Sequence, residues 1–331
     1  MTPIITYSPA FTLVPTYECF NRCDYCNFRT DPLQGPWLSL TAAEAQLQTL
    51  VGQGISEILV LSGEVHPHSP RRPAWVQHIA QLCELALSMG FLPHTNAGPL
   101  SDAEMTQLRS VNVSMGLMLE QIAPALRQTV HRHAPSKDPA LRLQQLEWAG
   151  EHRIPFTTGL LLGLGETKAD RRDTLQAIAQ SHRRWGHIQE VILQPYRPGQ
   201  QDRWAEDRFA LETLPDLVAI SRHLLPPDIT IQIPPNLIES PDLLLACLAA
   251  GARDLGGLVP HDHVNPDYTH TATVELANWL RDTGWQLQPR LPIYPAWDHW
   301  LPLPLRTAVQ NWRKRLDRGY TVQKETVAHP V

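Results

Sequence analysis

A closed (β/α)8 barrel of the TIM type is the fold class that the 331-residue chain predicts, and three observations point to it. Short β-like apolar runs alternate with longer segments of helical period. Gly, Pro or a capping residue marks each switch between the two. The runs number eight, which is the count that closes a parallel sheet, with crossover helices outside and the site at the C-terminal ends of the strands. An open doubly wound sheet shares the alternation.

Taken in order, the predicted strands are 11–17 (FTLVPTY), 57–63 (EILVLSG), 90–96 (GFLPHTN), 112–119 (NVSMGLML), 155–163 (PFTTGLLLG), 190–196 (EVILQPY), 230–235 (TIQIPP) and 253–258 (RDLGGL), the last the weakest. Helix starts lie between them. Thr41 with Glu44 and Ser101 with Glu104 fit the S/T-x-x-E capping box, and Ser240 precedes Pro241 at a first helical position. The barrel is expected over residues 1–288. Residues 289–331 are expected to form a C-terminal Pro- and Trp-rich segment and helix packed on the barrel, with the last helix near 306–316, and residues 285–312 to pack across the barrel bottom or cover its mouth.

Composition narrows the function. A net charge of −5 gives no basic field for nucleic acid. The opening MTPIITYSPAFTLVP lacks a charged stretch followed by an apolar one, and no run approaches 18 apolar residues, so a cytoplasmic protein with no membrane partner is expected. The thirty prolines sit at element boundaries rather than in repeats.

Five cysteines are too few and too unevenly spaced for a disulfide framework. Cys83 and Cys247 lie in helical patterns, where a thiol packs as a small apolar group. Cys19, Cys23 and Cys26 form a C-x-x-x-C-x-x-C triple directly after the first strand, at the expected mouth of the barrel. Three thiolates can hold three irons of a cubane and leave the fourth open. A structural zinc site takes four protein ligands, and no second Cys/His pair with finger spacing follows. A redox C-x-x-C would need a thioredoxin-like setting, which this chain lacks.

With an aromatic, Tyr25, before its last cysteine, this triple resembles the hallmark of the radical S-adenosylmethionine (SAM) superfamily. The resemblance implies a 4Fe-4S cluster whose open iron is chelated by SAM. It implies further that Ser62, Gly63 and Glu64 stand where relatives carry a GGE-like motif for the SAM amino group, with Ser62 replacing the first glycine. Glu120, at the end of the fourth strand, matches a polar position that binds SAM. The run 159–167 (GLLLGLGET), with Gly163 and Gly165, resembles a fifth-strand motif that lets backbone approach the adenosine. Lys137 and Arg142 could hold the SAM carboxylate.

Within the superfamily the chain is similar to the CofG family, the second radical SAM component of deazaflavin (FO) synthase. The stretches that carry this are 19–28 (CFNRCDYCNF), 92–100 (LPHTNAGPL), 112–121 (NVSMGLMLEQ), the 131–142 loop, 159–167, 194–198 (QPYRP) and 256–266 (GGLVPHDHVNP). That likeness implies a lyase acting on the tyrosine–ribityluracil adduct made by a CofH-type partner enzyme, with hydrogen abstraction, ring closure and ammonia loss. A ferredoxin or flavodoxin would supply electrons. A phenol, a uracil edge and a ribityl chain suit neutral hydrogen bonders. Thr95, Asn96, Gln194, Tyr196, Asp262 and Asn265 are the substrate-binding candidates, and His94, His261 and His263 the candidate bases. The competing readings are the CofH-type coupling of tyrosine itself, or a related radical SAM enzyme, and a non-catalytic metal or Fe-S protein.

Overall fold

The computed structural model describes residues 2–318 apart from 202, 203, 205–208, 239, 260, 261 and 270. His261 and the tail 319–331 therefore lie outside the described residues. Strands β1 (Ile4–Leu13), β2 (Glu57–Leu61), β3 (Leu92–Asn96), β4 (Ser114–Gly116), β5 (Phe156–Leu162), β6 (Ile188–Pro195), β7 (Thr230–Gln232) and β8 (Asp254–Leu258) pair in parallel in chain order, and β1 joins both β2 and β8. The sheet is thus a closed eight-stranded barrel, as its periodicity predicts.

Helices α1 (Leu40–Leu50), α2 (Arg72–Ser88), α3 (Asp102–Arg109), α4 (Pro139–Glu151), α5 (Lys168–Trp185), α6 (Leu214–Leu224), α7 (Pro241–Ala250) and α8 (Thr273–Asp282) follow the strands one by one. Their starts are chemical. The Ser101/Glu104 capping box begins α3, and Ser240 caps α7 with Pro241 in its first turn. Helix α1 departs from expectation: Ser39, not Thr41, accepts the Ala42 N–H at 3.1 Å, so the helix opens two residues early. Cys83 and Cys247 are fully buried in α2 and α7, packed as small core groups.

Two features of the sheet were not legible as strands. β1 begins at Ile4 rather than Phe11, with Pro9 inside it. Proline interrupts a ladder because it has no N–H. Here it sits where β1 changes neighbour, since Ala10–Leu13 pair with β2 while Ile4–Tyr7 pair with a ninth strand, β9 (Gln286–Pro289). β9 lies in the segment read from sequence as a lid or packing element.

After β9 the chain crosses the N-terminal end of the barrel. Leu291, Ile293, Trp297, Leu301 and the residues Leu305, Val309 and Trp312 of α9 (Leu303–Asp317) bury themselves against Leu92 and Val113, which precede or open β3 and β4. The indole of Trp297 donates to the Gly186 carbonyl and that of Trp312 to the Gly90 carbonyl, each at 2.7 Å. Both carbonyls belong to loops that enter strands, so this segment plugs the bottom and leaves the mouth free.

Candidate active site

The three clustered cysteines occupy the loop that leaves β1. Its backbone is clipped on three sides: Cys19 N–H donates to Thr30 O at 3.0 Å, Phe20 N–H to Glu64 O at 3.0 Å, and Arg22 N–H to His133 O at 2.8 Å. Gly63 makes this possible, because a Cβ there would meet the Glu18 carbonyl oxygen at 2.2 Å. The end of β2 thus lies directly on the cysteine loop.

All three thiols are free and partly accessible. Burial pushes the Cys19 thiol up to about 11 and the Cys23 thiol up to about 12. Thiolates in such a setting need a metal centre to hold them deprotonated. Among the described residues no three His, Cys, Asp or Glu side chains converge on a single-ion site. A donor set of one thiolate per iron suits a cubane held at three corners.

Beside the loop a cavity of about 330 Å³ is lined by Tyr25, Cys26, Ser62, Glu64, Gly98, Glu120, Lys137, Arg142, Gln194 and Tyr196, among others. Gly98, with φ +74°, leaves room for the Glu64 carboxyl, which a Cβ would strike at 2.3 Å. Glu120 holds a left-handed backbone (φ 66°) while its N–H donates to Gly159 O at 3.0 Å. A non-glycine residue in that region is strained, and strain of this kind gathers at ligand sites.

The carboxylate of Glu120 accepts from Lys137 Nζ and, at 2.9 Å, from Tyr25 Oη, with Arg142 Nη1 at 3.9 Å. Burial alone would push Glu120 up, but Lys137, Arg142 and His131 outweigh it and hold the carboxyl at about 2. Lys137 is raised by the same pairing, against burial. The Arg142 guanidinium donates to the Ser136 and Met118 carbonyls and approaches Glu64 Oε1 at 3.8 Å. Two acids and two bases thus balance along one wall, ready for a zwitterion such as an α-amino acid.

The fifth-strand run is placed differently from expectation. Leu161 lines the cavity, whereas Gly163 (φ 95°) and Gly165 (φ 97°) turn the chain beyond it. The Glu166 carboxylate accepts the Gly163 and Leu164 N–H groups at 2.8–3.1 Å and pairs with Arg171 at 2.7 Å. These glycines shape a turn that Glu166 staples.

A second cavity, about 190 Å³, fills the barrel interior below the first and shares Asn96, Met118, Ile192, Gln194 and Asn265 with it. His94, Asp262 and His263 line it too. Asp262 accepts from the Asn236 and Asn265 side chains at 3.0 and 3.2 Å, and His263 Nδ1 meets Tyr17 Oη at 2.8 Å. Thr95 is a correction: its hydroxyl donates to Asn112 Oδ1 at 2.8 Å and touches Cys83, outside the barrel wall. Successive strand residues face opposite sides, so His94 and Asn96 could enter the interior only if Thr95 left it.

The same alternation brings in residues that motif reading missed. Glu57 at the start of β2 and Glu190 in β6 point inward at the cavity floor, with Arg290 beyond β9. Their signal was present in the sequence as acidic residues on the inward register of otherwise apolar strands.

A model of the Radical SAM superfamily matches residues 13–178. The chain belongs to the radical SAM superfamily. Curated relatives extend the likeness to nearly the whole chain. A 7,8-didemethyl-8-hydroxy-5-deazariboflavin synthase of Trichodesmium erythraeum (strain IMS101) is 60% identical over 316 residues, covering 96% of this chain and 99% of that protein. The synthase of the same name from Thermosynechococcus vestitus is 63% identical over 307 residues, or 93% and 98% of the two chains. This radical SAM chain belongs to the family those synthases form. Among solved structures, the FeFe-hydrogenase maturase HydG from Carboxydothermus hydrogenoformans superposes with a TM-score of 0.73 at 18% identity, covering 96% of this chain and 79% of its own. That likeness concerns the barrel fold alone.

Proposed function

We propose that this radical SAM protein completes the deazaflavin FO, acting as the CofG-type lyase on the adduct of tyrosine and 5-amino-6-(D-ribitylamino)uracil released by a CofH-type partner enzyme. The observation that carries the reading is 60% identity to a curated FO synthase over 316 residues, 96% of the chain, which runs far beyond the superfamily match that ends at residue 178.

Cys19, Cys23 and Cys26 would hold a 4Fe-4S cluster, which supplies the electron that splits SAM into methionine and a 5′-deoxyadenosyl radical. Ser62, Glu64, Glu120, Lys137 and Arg142 would grip the amino acid part of SAM, the carboxylates facing its ammonium and the cations its carboxylate. The two cavities share a wall at Asn96, Met118 and Gln194, so a substrate in the lower one meets SAM in the upper across neutral side chains. A position inside the barrel, walled by its strands, shields a radical from bulk water. Hydrogen transfer to the deoxyadenosyl carbon, ring closure, departure of ammonia, and loss of a proton with one further electron, for which the cluster oxidised in SAM cleavage would be the acceptor, would then give FO. His263 stands at the chamber as a proton acceptor for the last step. A low-potential ferredoxin or flavodoxin would be the electron source.

Anaerobic turnover of the cluster-loaded protein with SAM, dithionite and the adduct tests the reading: 5′-deoxyadenosine together with fluorescent FO is expected. Deoxyadenosine and coupling products from tyrosine plus the diaminouracil, without FO from the adduct, would instead mark the CofH-type reaction. Cluster-loaded protein that cleaves no SAM would point to a non-catalytic role.

A further inference from the structure

The floor of the inner cavity carries an excess of acid. Arg290 forks onto Asp254 at 2.6 and 2.8 Å and reaches Glu190 at 2.8 Å, while Tyr294 Oη donates toward Glu190 at 3.1 Å. Glu57, bonded to Ser8 Oγ, completes the group. Three buried carboxyls thus face one guanidinium. A buried charge without a partner is strongly disfavoured, so the surplus carboxyls retain their protons. Burial raises Glu190 far above the ordinary carboxylate range and raises Glu57 as well, whereas for Asp254 burial is outweighed by Arg290 and its carboxyl stays low.

His94 stands beside this floor with its tautomer fixed. Ser114 Oγ donates to the Pro292 carbonyl at 2.6 Å, so it accepts from His94 Nδ1 at 2.7 Å, and the proton of the neutral ring sits on Nδ1. Nε2 is left as a bare acceptor inside the cavity, in space kept open by Gly116, where a Cβ would lie 2.8 Å from it. The side chain is 7% exposed, and that exposure is to the cavity.

We propose that this floor is the recognition site for the uncharged polar end of the substrate, a cyclic ureide with its polyol arm, with Glu57 and Glu190 as hydrogen-bond donors and His94 Nε2 as the acceptor. This rests on the deazaflavin reading above. Distance supports it: from Glu57 to Leu61 and from Glu190 to Gln194 is four residues, about 13 Å along each strand. A molecule that grips the floor at one end therefore presents its other end to the SAM cavity. The floor offers a free carboxylate no uncommitted cation, because Arg290 is held by Asp254 and Glu190. It accordingly favours the adduct over a free amino acid.

Calorimetric binding of 5-amino-6-(D-ribitylamino)uracil to the cluster-loaded protein with SAM reads the floor without turnover. We expect wild type to bind it and to ignore tyrosine, His94→Phe and Glu190→Leu each to lose about tenfold or more in affinity, and Glu190→Gln to recover most of the Glu190→Leu loss. SAM affinity should hold in every variant, separating a floor defect from misfolding. Wild-type affinity for the ribityl compound in both His94→Phe and Glu190→Leu, or no binding to the wild type, overturns the proposal. FO formation in the turnover assay judges the underlying reading separately, because an enzyme that makes FO with an indifferent floor fails only the present inference.

Discussion

Single residues carry the chemistry, and their roles separate cleanly by substitution. Cys23→Ala should abolish both the iron-sulfur absorbance and SAM cleavage, whereas Cys83→Ala, which alters a thiol buried in α2, should retain activity and lose only a little stability. SAM cleavage by Cys23→Ala protein would remove that residue from the cluster. Glu120→Ala strands Lys137 and Arg142 as buried cations; about 3 kcal/mol of stability should be lost in urea titration, and SAM binding with it. Sequence served well at this scale wherever spacing itself is chemical, as in the cysteine triple. It served less well where facing decides. His94, Thr95 and Asn96 are equally polar letters, and only the period of the strand sends Thr95 to the helices while its neighbours enter the barrel. Glu57 and Glu190 escaped notice because no motif contains them, yet their inward register is what makes them unusual.

At the scale of elements, contacts between segments decide what periodicity leaves open. Alternation located all eight barrel strands, but β9 is four residues long and runs straight into a proline-rich stretch, so its pairing with Ile4–Tyr7 is a tertiary fact. Pro9 hid the first half of β1, since a proline lacks the N–H that a ladder uses and here it sits where the ladder changes partner. The bottom plug follows from tryptophans whose indoles find loop carbonyls. Trp312→Ala should cost about 3 to 5 kcal/mol in denaturant unfolding while the cluster content of the folded protein is unchanged. Gly63→Ala should do the reverse: its methyl group collides with the Glu18 carbonyl, pushes the cysteine loop from β2, and lowers the iron retained per chain. Full iron content in Gly63→Ala protein would mean that the loop tolerates the displacement.

The whole molecule is an assembly of two ends: a plugged bottom that supports an acidic floor, and a mouth that carries the thiols and the balanced charges around Glu120. Its pH response follows from buried neutral histidines. His94 and His187 are lowered from 6.5 to about 3, by burial first and then by Arg290 and His182 respectively. The unfolded chain binds these protons below pH 6.5 and the folded chain does not until about pH 3, which lowers stability on acidification; down to pH 4.5 this is offset by Glu57 and Glu190, whose raised carboxyls hold protons in the folded chain that the unfolded chain has released, and below pH 4.5 stability falls by up to about 3 kcal/mol per pH unit. Glu120 adds to this below pH 4.5, because its advantage is lost as the pH approaches about 2. A urea midpoint that stays level between pH 4.5 and 3 would contradict the neutral histidines. Among the described residues no helix is long and apolar enough to cross a membrane.

The cysteine loop, the charged wall around Glu120 and the inner chamber are proposed to work together on one deazaflavin precursor. The most direct test of that joint action is anaerobic turnover of the cluster-loaded protein with SAM, reductant and the tyrosine–ribityluracil adduct, following 5′-deoxyadenosine and FO together. Both products rising in step is the predicted result, and cluster-loaded protein that forms neither would contradict it.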